Sequence, residues 1–451
     1  MKNQKLNHFD MKNLVKLLFL VCCVCLLDAC NDNQQEGGKT DPIVDCTITP
    51  IHGGAVITYT IPSDRGILYV MAEYERSGKS YTVISSVFDN SLTIEGFNST
   101  DQVNVTLYTV NDNNTKSEPK NIVFNPLESP ISLTYKSSKV YPCFGGIYIE
   151  WENFTETELG LRLMVEEDGE WVEKEMYFSS IPYERRAFRP FESEETKFEI
   201  IFEDKWGNVS EPILFVGTPY FETEVAKPWT DVRYLIPHDN GPPDQSPLTG
   251  MWDNSTALVW GVAYYRSNSA SEGNSFTFDI GQVVKLSRMI QWPIYLPDYA
   301  AVPSVYGNVQ VLDMEIWGTT VLDPAKIKPA GNPDYWLHPY SAAQTGKTPP
   351  WTGSFADLTP EQIQAMPDNF AKDWVYLGRY PVERLDLIGG TEMDIRQQGV
   401  DGFKWDIPDH IPPVRYLRCF PIRVFEGSPP PNNYWTVAEM SLFGDTTVPQ
   451  E

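Results

Sequence analysis

Val414-Arg415-Tyr416-Leu417-Arg418, then a Pro-rich turn, then Val437-Ala438-Glu439-Met440-Ser441-Leu442-Phe443-Gly444, is the stretch whose reading decides the fold. In its second part Ala438, Met440 and Leu442 alternate with Glu439 and Ser441, the period-two pattern of a half-buried strand. Residues 414–425 are apolar on both parities, as in a strand covered on both faces. Together they read as the closing strands of a β-sandwich.

Working back from these strands, the composition turns rich in Trp, Tyr, Pro and Asn from about Phe221. Asp253 and Trp260 stand in the run Leu248 to Trp260, and Phe276-Thr277-Phe278-Asp279-Ile280-Gly281 alternates as a strand. Val309 to Thr319 is a further strand, and a long insertion follows at about 323–373. The aromatic-flanked Arg-Tyr-x-Arg, the loop, and Ala-Glu-x-x-x-Phe-Gly resemble the C-terminal end of discoidin-like modules, the coagulation-factor C-type fold. Leu248 to Trp260 is similar to that family's opening, and Asp279-Ile280-Gly281 to its Asp-Leu-Gly.

Two smaller modules precede this one. Gly53-Gly54 opens a strand in the first and Gly145-Gly146 in the second, while Ser117-Glu118-Pro119 recurs as Ser210-Glu211-Pro212. The nearly constant offset indicates a duplicated domain. Strand-like runs at Ala55–Ile61, Leu68–Ala72 and Val103–Tyr108 have counterparts at Gly145–Trp151, Leu161–Val165 and Phe198–Phe202. Each Ser-Glu-Pro follows a strand and a polar turn, Asn111 to Asn114 and Asp204 to Asn208. Such seven-stranded sandwiches resemble fibronectin type III modules, which commonly serve as spacers. Trp171, Trp206 and Trp229 are expected at contacts between modules.

At the N-terminus Lys12 and Lys16 precede the apolar run Leu17 to Leu27, long enough for a signal sequence and too short to span a bilayer. Leu27-Asp28-Ala29-Cys30 resembles a bacterial lipobox, which implies lipidation of Cys30 and an outer-membrane lipid anchor; an ordinary secretory peptide is the alternative. Asp32 and Glu36 resemble the export signal of Bacteroidota-type surface lipoproteins. Of the remaining cysteines, Cys46, Cys143 and Cys419 are too scattered for a disulfide framework and read as buried small hydrophobes. The expected layout is a signal peptide at 1–29, a flexible tether at 30–41, fibronectin-like modules at 42–127 and 128–219, and a discoidin-like module at 220–447. The fold class is all-β.

A formal net charge of −26 without a polybasic stretch in the body of the chain argues against nucleic acid, which needs a basic face. No His-Glu-x-x-His, Gly-x-Ser-x-Gly or phosphate-cradling loop is present. Among so many acids a pair such as Asp313 and Glu315 has no diagnostic weight for a glycosidase. Sugar binding needs flat apolar faces with polar groups beside them, and the loops of the third module supply both. The candidates are Tyr265, Arg266, Trp292, Tyr295, Tyr299, Trp336, Tyr340, Trp351 and Tyr434. By resemblance, Asp253 and Glu439 match two ligands of one structural Ca²⁺; otherwise Asp253 forms a turn and Glu439 is a hydrogen-bonded strand acid. The plan resembles surface lipoproteins of starch-utilisation-type glycan systems in Bacteroidota. It implies a carbohydrate-binding, non-catalytic surface protein working beside a glycan transporter complex. A protein-binding adhesin or structural surface protein, and thirdly a cryptic glycoside hydrolase or lyase, are the alternatives.

Overall fold

A computed structural model describes residues 39–63, 66–239, 247–256, 264–267, 275–294, 305–307, 310–343, 353–424 and 434–450. The described chain is mainly antiparallel sheet. In the first module, β1 (Cys46–Ile51), β2 (Gly54–Tyr59), β3 (Ile67–Arg76), β4 (Lys79–Ser86), β5 (Ser91–Glu95), β6 (Val103–Asn111) and β7 (Lys120–Phe124) form two sheets, ordered β1-β2-β5 and β4-β3-β6-β7. Alternate residues of these strands, among them Ile57, Val70, Ala72, Ile94, Val105 and Leu107, bury one continuous core.

The second module repeats the plan with β8 (Lys139–Cys143), β9 (Gly146–Glu152), β10 (Leu159–Glu167), β11 (Glu170–Ser179), β12 (Tyr183–Phe188), β13 (Thr196–Asp204) and β14 (Ile213–Gly217). Its sheets run β12-β9-β8 and β11-β10-β13-β14. The residues that mark the duplication make the same bonds in both copies. Gly53 and Gly145 take φ of +68° and +65°, and a Cβ on Gly54 or Gly146 would lie 2.0 Å from the carbonyl oxygen of Ile94 or Phe188. Only glycine meets both requirements, a left-handed turn followed by a close backbone approach. The Ser117 and Ser210 hydroxyls accept from the N–H of Thr109 and Phe202, and the N–H of each serine donates back to the same residue's carbonyl. In the polar turns, Asn111 Oδ1 accepts from the N–H of Asn113 and Thr115, as Asp204 Oδ1 does from Trp206 and Asn208.

The third module contains β15 (Thr223–Glu224), β16 (Thr230–Asp231), β17 (Tyr265–Arg266), β18 (Phe276–Trp292), β19 (Val311–Thr319), β20 (Val375–Pro381), β21 (Phe403–Asp406), β22 (Val414–Val424), β23 (Thr436–Val437) and β24 (Glu439–Asp445). Strand β18 changes partners along its length: Phe276–Asp279 pair with β22, and beyond a bulge Lys285–Trp292 pair with β24. Gly281, at φ +85°, lies within that bulge. The core joins Trp229, Trp252, Phe276, Phe278 and Trp435 to Met289, Leu417 and Met440.

The described residues form two compact units, those within 1–139, 150–185 and 198–214 in one and those within 140–149, 186–197 and 215–451 in the other. Inside the first, Asn98 Nδ2 donates to the Val209 carbonyl and Asn208 Nδ2 to that of Gly96. A Cβ on Gly96 would lie 2.8 Å from the Trp206 ring, so Trp206 sits where the first module meets the Asp204–Asn208 turn. Inside the second unit, Tyr148 Oη and Arg189 Nη1 both donate to Asp406 at 2.9 Å, and Glu222 accepts from Ser287 Oγ and Arg288 Nε.

Several sequence expectations are corrected. Trp229 is a core residue of the third module, and Trp171 is exposed on β11. Strand β24 is not half-buried: Glu439 and Ser441 are 1 % and 4 % exposed, because the segment leading from β15 covers their face. Cys143 and Cys419 are buried free thiols, and burial pushes Cys143 up to about 12; Cys46 is only partly covered.

Candidate functional site

One end of the third module gathers most of the described residues on which a binding function was expected. Strand β17 pairs with β23, setting Arg266 opposite Thr436 and Tyr265 opposite Val437. The Arg266 guanidinium then lies 3.7 Å from the centre of the Tyr434 ring, and both side chains are partly exposed. Its Nε is buried and meets no hydrogen-bond partner among the described residues. On the adjoining strands Trp292 is the register partner of Glu439, and its indole Nε1 donates to the Val400 carbonyl.

The other aromatic candidates divide by burial. Tyr265 is fully buried, edge-on to Trp435 at 4.8 Å, and Trp336 is 1 % exposed inside a second cluster with Trp317, Phe370 and Phe420. Neither has a ring face open to a sugar, and both are corrected to core residues; strong β-sheet and insertion packing claimed them first. Tyr340 packs against the same second cluster and covers Gly353, where a Cβ would lie 2.3 Å from its ring. Tyr295, Tyr299, Trp351 and the lipidation candidate Cys30 lie outside the described residues. Among the described residues no helix is long and apolar enough to cross a membrane.

The two expected calcium ligands also come together here, in an arrangement that does not suit the ion. Asp253 Oδ1 accepts from Ser255 N–H at 2.9 Å, which forms the turn that places Asn254 at φ +65°. Glu439 Oε2 accepts the Asn254 N–H at 3.1 Å, and its Oε1 takes the Lys227 ammonium at 2.5 Å. Burial pushes this carboxyl up to about 7, assisted by nearby Asp253, against the pull of Lys227 and the Asn254 N–H. Calcium needs six to eight oxygen ligands. Both Glu439 oxygens are already engaged, and among the described residues no three His, Cys, Asp or Glu side chains gather to hold a metal.

The acid pair Asp313 and Glu315 is likewise committed. Asp313 receives Arg379 through Nε and Nη2, at 2.7 Å for the shortest bond. Glu315, fully buried, accepts from Trp317 Nε1, Ser354 Oγ and Phe355 N–H at 2.6–3.0 Å. His338 Nε2 stands 3.2 Å from Glu315 Oε1. Because His338 Nδ1 accepts the Tyr340 N–H, the ring proton sits on Nε2 and points at the carboxylate. These bonds fasten the insertion to β19 and leave neither acid facing an open substrate site.

The sequence did not indicate an open cleft of about 660 Å³ in the first module, lined by Glu73, Glu75, Arg76, Tyr81, Phe97 and Asp101. Arg76 stands 4.2 Å over the Tyr81 ring and donates to the Glu95 carbonyl. Lys116 pairs with Glu73 at the edge of the cleft, so the acids there are largely matched by Arg76 and Lys116.

Residues 40–126 match a family model described as Domain of unknown function (DUF4959), residues 127–228 one described as Domain of unknown function (DUF5126), and residues 252–444 one described as Domain of unknown function. No curated protein matches the chain. Among solved structures, a SusE-like protein, BT2857, is similar at 20 % identity and a TM-score of 0.34, over 69 % of this chain and 97 % of that one. A two-domain fibronectin type III segment of chicken tenascin is similar at 16 % identity and a TM-score of 0.20, over 40 % of this chain and 99 % of that one. A three-domain segment of chicken CNTN1, FN1-FN3, is similar at 12 % identity and a TM-score of 0.17, over 40 % of this chain and 69 % of that one.

Proposed function

We propose that this protein is a surface lipoprotein, anchored to the outer membrane through Cys30, that captures polysaccharide or host glycan without covalent chemistry for a neighbouring uptake system. The observation that carries the reading is the Arg266–Tyr434 stack at one end of the third module. A pyranose presents a C–H face that an aromatic ring accepts; the Arg266 guanidinium covers one face of the Tyr434 ring, so the sugar would use the other, with its hydroxyls accepting from N–H groups at the guanidinium edge. Many weak sites on one cell would add avidity.

A glycan array probed with the soluble chain beginning after Asp41 tests this directly. Binding is expected, and Tyr434→Ala should weaken it by on the order of 1 to 3 kcal/mol if the ring is a stacking anchor. Unchanged affinity would move the site away from Tyr434, toward the segments that hold Tyr299 and Trp351. An array without hits would remove the glycan reading.

One observation favours a second reading, a protein-binding surface. Leu387, Ile388, Met393 and Val400 are 58 % to 78 % exposed on and just before the helix Glu392–Asp401, an unusual group of apolar side chains for a surface. If Met393→Glu abolished capture of a protein partner while glycans failed to bind, the adhesive reading would replace the first.

A further inference from the structure

The Lys227 side chain is 5 % exposed, and its ammonium is set among three oxygens: Glu439 Oε1 at 2.5 Å, Ser441 Oγ at 2.9 Å and Glu224 Oε1 at 3.4 Å. The Trp229 ring centre lies 5.8 Å away. Its N–H groups donate to Glu439 and Ser441, and the Glu224 carboxylate adds an ion pair, so the compact charge is met by two hydrogen bonds and two carboxylates. These contacts matter, because a buried ion pair is tolerated only when hydrogen bonds and opposite charge replace the lost hydration. Ser441 also donates to Glu224 Oε1 at 2.6 Å, so the acceptors are themselves linked.

We infer that Lys227 is the resident cation of this module, holding at Glu439 the place a divalent ion would need, so that the module folds and works without metal. The ammonium is tethered by its own chain. An incoming ion would compete with a group of high effective concentration and would strip a buried lysine of its nearest carboxylate. The arrangement also has a mechanical consequence. Lys227 joins the segment that opens the module to β24, which closes it, and so covers the polar face of β24. This inference does not depend on what the module binds: a metal-free module can hold a glycan, a protein or neither.

The test uses the full chain in alkaline buffer, where the Glu439 carboxyl is ionised. Thermal unfolding is followed in EDTA and in excess calcium chloride, and calcium chloride alone is titrated into the wild type by calorimetry. Superimposable melting curves and no binding heat are expected, while Lys227→Met should melt at a lower temperature in EDTA. A wild-type midpoint that rises with calcium, or a saturable calcium heat, would overturn the inference. So would a Lys227→Met variant that melts in EDTA like the wild type. Should that variant fail to fold, the wild-type calorimetry still decides the question.

Discussion

Arg415 and Asp279 show how a residue pair that identifies a fold can also hold it. Arg415 Nε and Nη2 donate to the two Asp279 oxygens at 2.8 Å, across the β18–β22 pairing. Burial raises the Asp279 carboxyl, but Arg415 and the Gly281 N–H outweigh it, and the net pKa is below the ordinary carboxylate value. The folded state therefore holds this proton less tightly than the unfolded chain. Its contribution is full above the unfolded-state pKa and is lost as pH falls through the depressed folded value. Arg415→Met should cost about 1 kcal/mol near neutrality, since Arg415 is partly exposed, and should flatten the loss of stability in acid. Urea unfolding across the acid range checks both. Arg418, three residues on, is fully buried among the rings of Trp336, Phe370 and Phe420 and donates to Asp239. The sequence placed both arginines in the framework. It gave no sign of Asp239, because nothing local links residues so far apart.

At the level of elements, the insertion after β19 is the clearest case of structure supplying what pattern lacked. Thr359 caps the helix Pro360–Ala365, and the capping box between Thr359 and Gln362 is formed. Thr391 and Asp394 form the same device at the start of the helix Glu392–Asp401, which was not anticipated because Met393 and Val400 face outward and no apolar stripe repeats. What attaches the insertion is Glu315, whose carboxyl burial would raise but which His338, Ser354 and Trp317 together hold below its ordinary value. Glu315→Ala would strand several buried donors and should destabilise the module by roughly 3 kcal/mol or more. Limited proteolysis should then cut first within residues 323–373. Equal protection of variant and wild type would show that apolar packing alone holds the insertion.

On the scale of the whole molecule, one compact unit takes in residues 140–149 and 186–197 of the second module together with the third. Tyr148 and Arg189 reach Asp406 there, and Glu222 holds Ser287 and Arg288. A chain ended after Pro219 loses all of these partners. It should melt below the lowest transition of the full chain by several degrees, of the order expected for a loss of a few kcal/mol; differential scanning calorimetry would read the difference, and equal midpoints would show that the second module stands alone. The sequence by itself determined the all-β class, the duplicated modules and the closing strands, since period-two patterning and paired glycines are local demands of the backbone. Only the tertiary structure decided which aromatic residues are core and which are rim: Tyr265 and Arg266 are neighbours in sequence, yet the alternation of one short strand buries the first beside Trp435 and lays the second on Tyr434. It also decided that the Glu439 expected to meet calcium meets Lys227, because a contact across more than two hundred residues leaves no periodic trace in the chain.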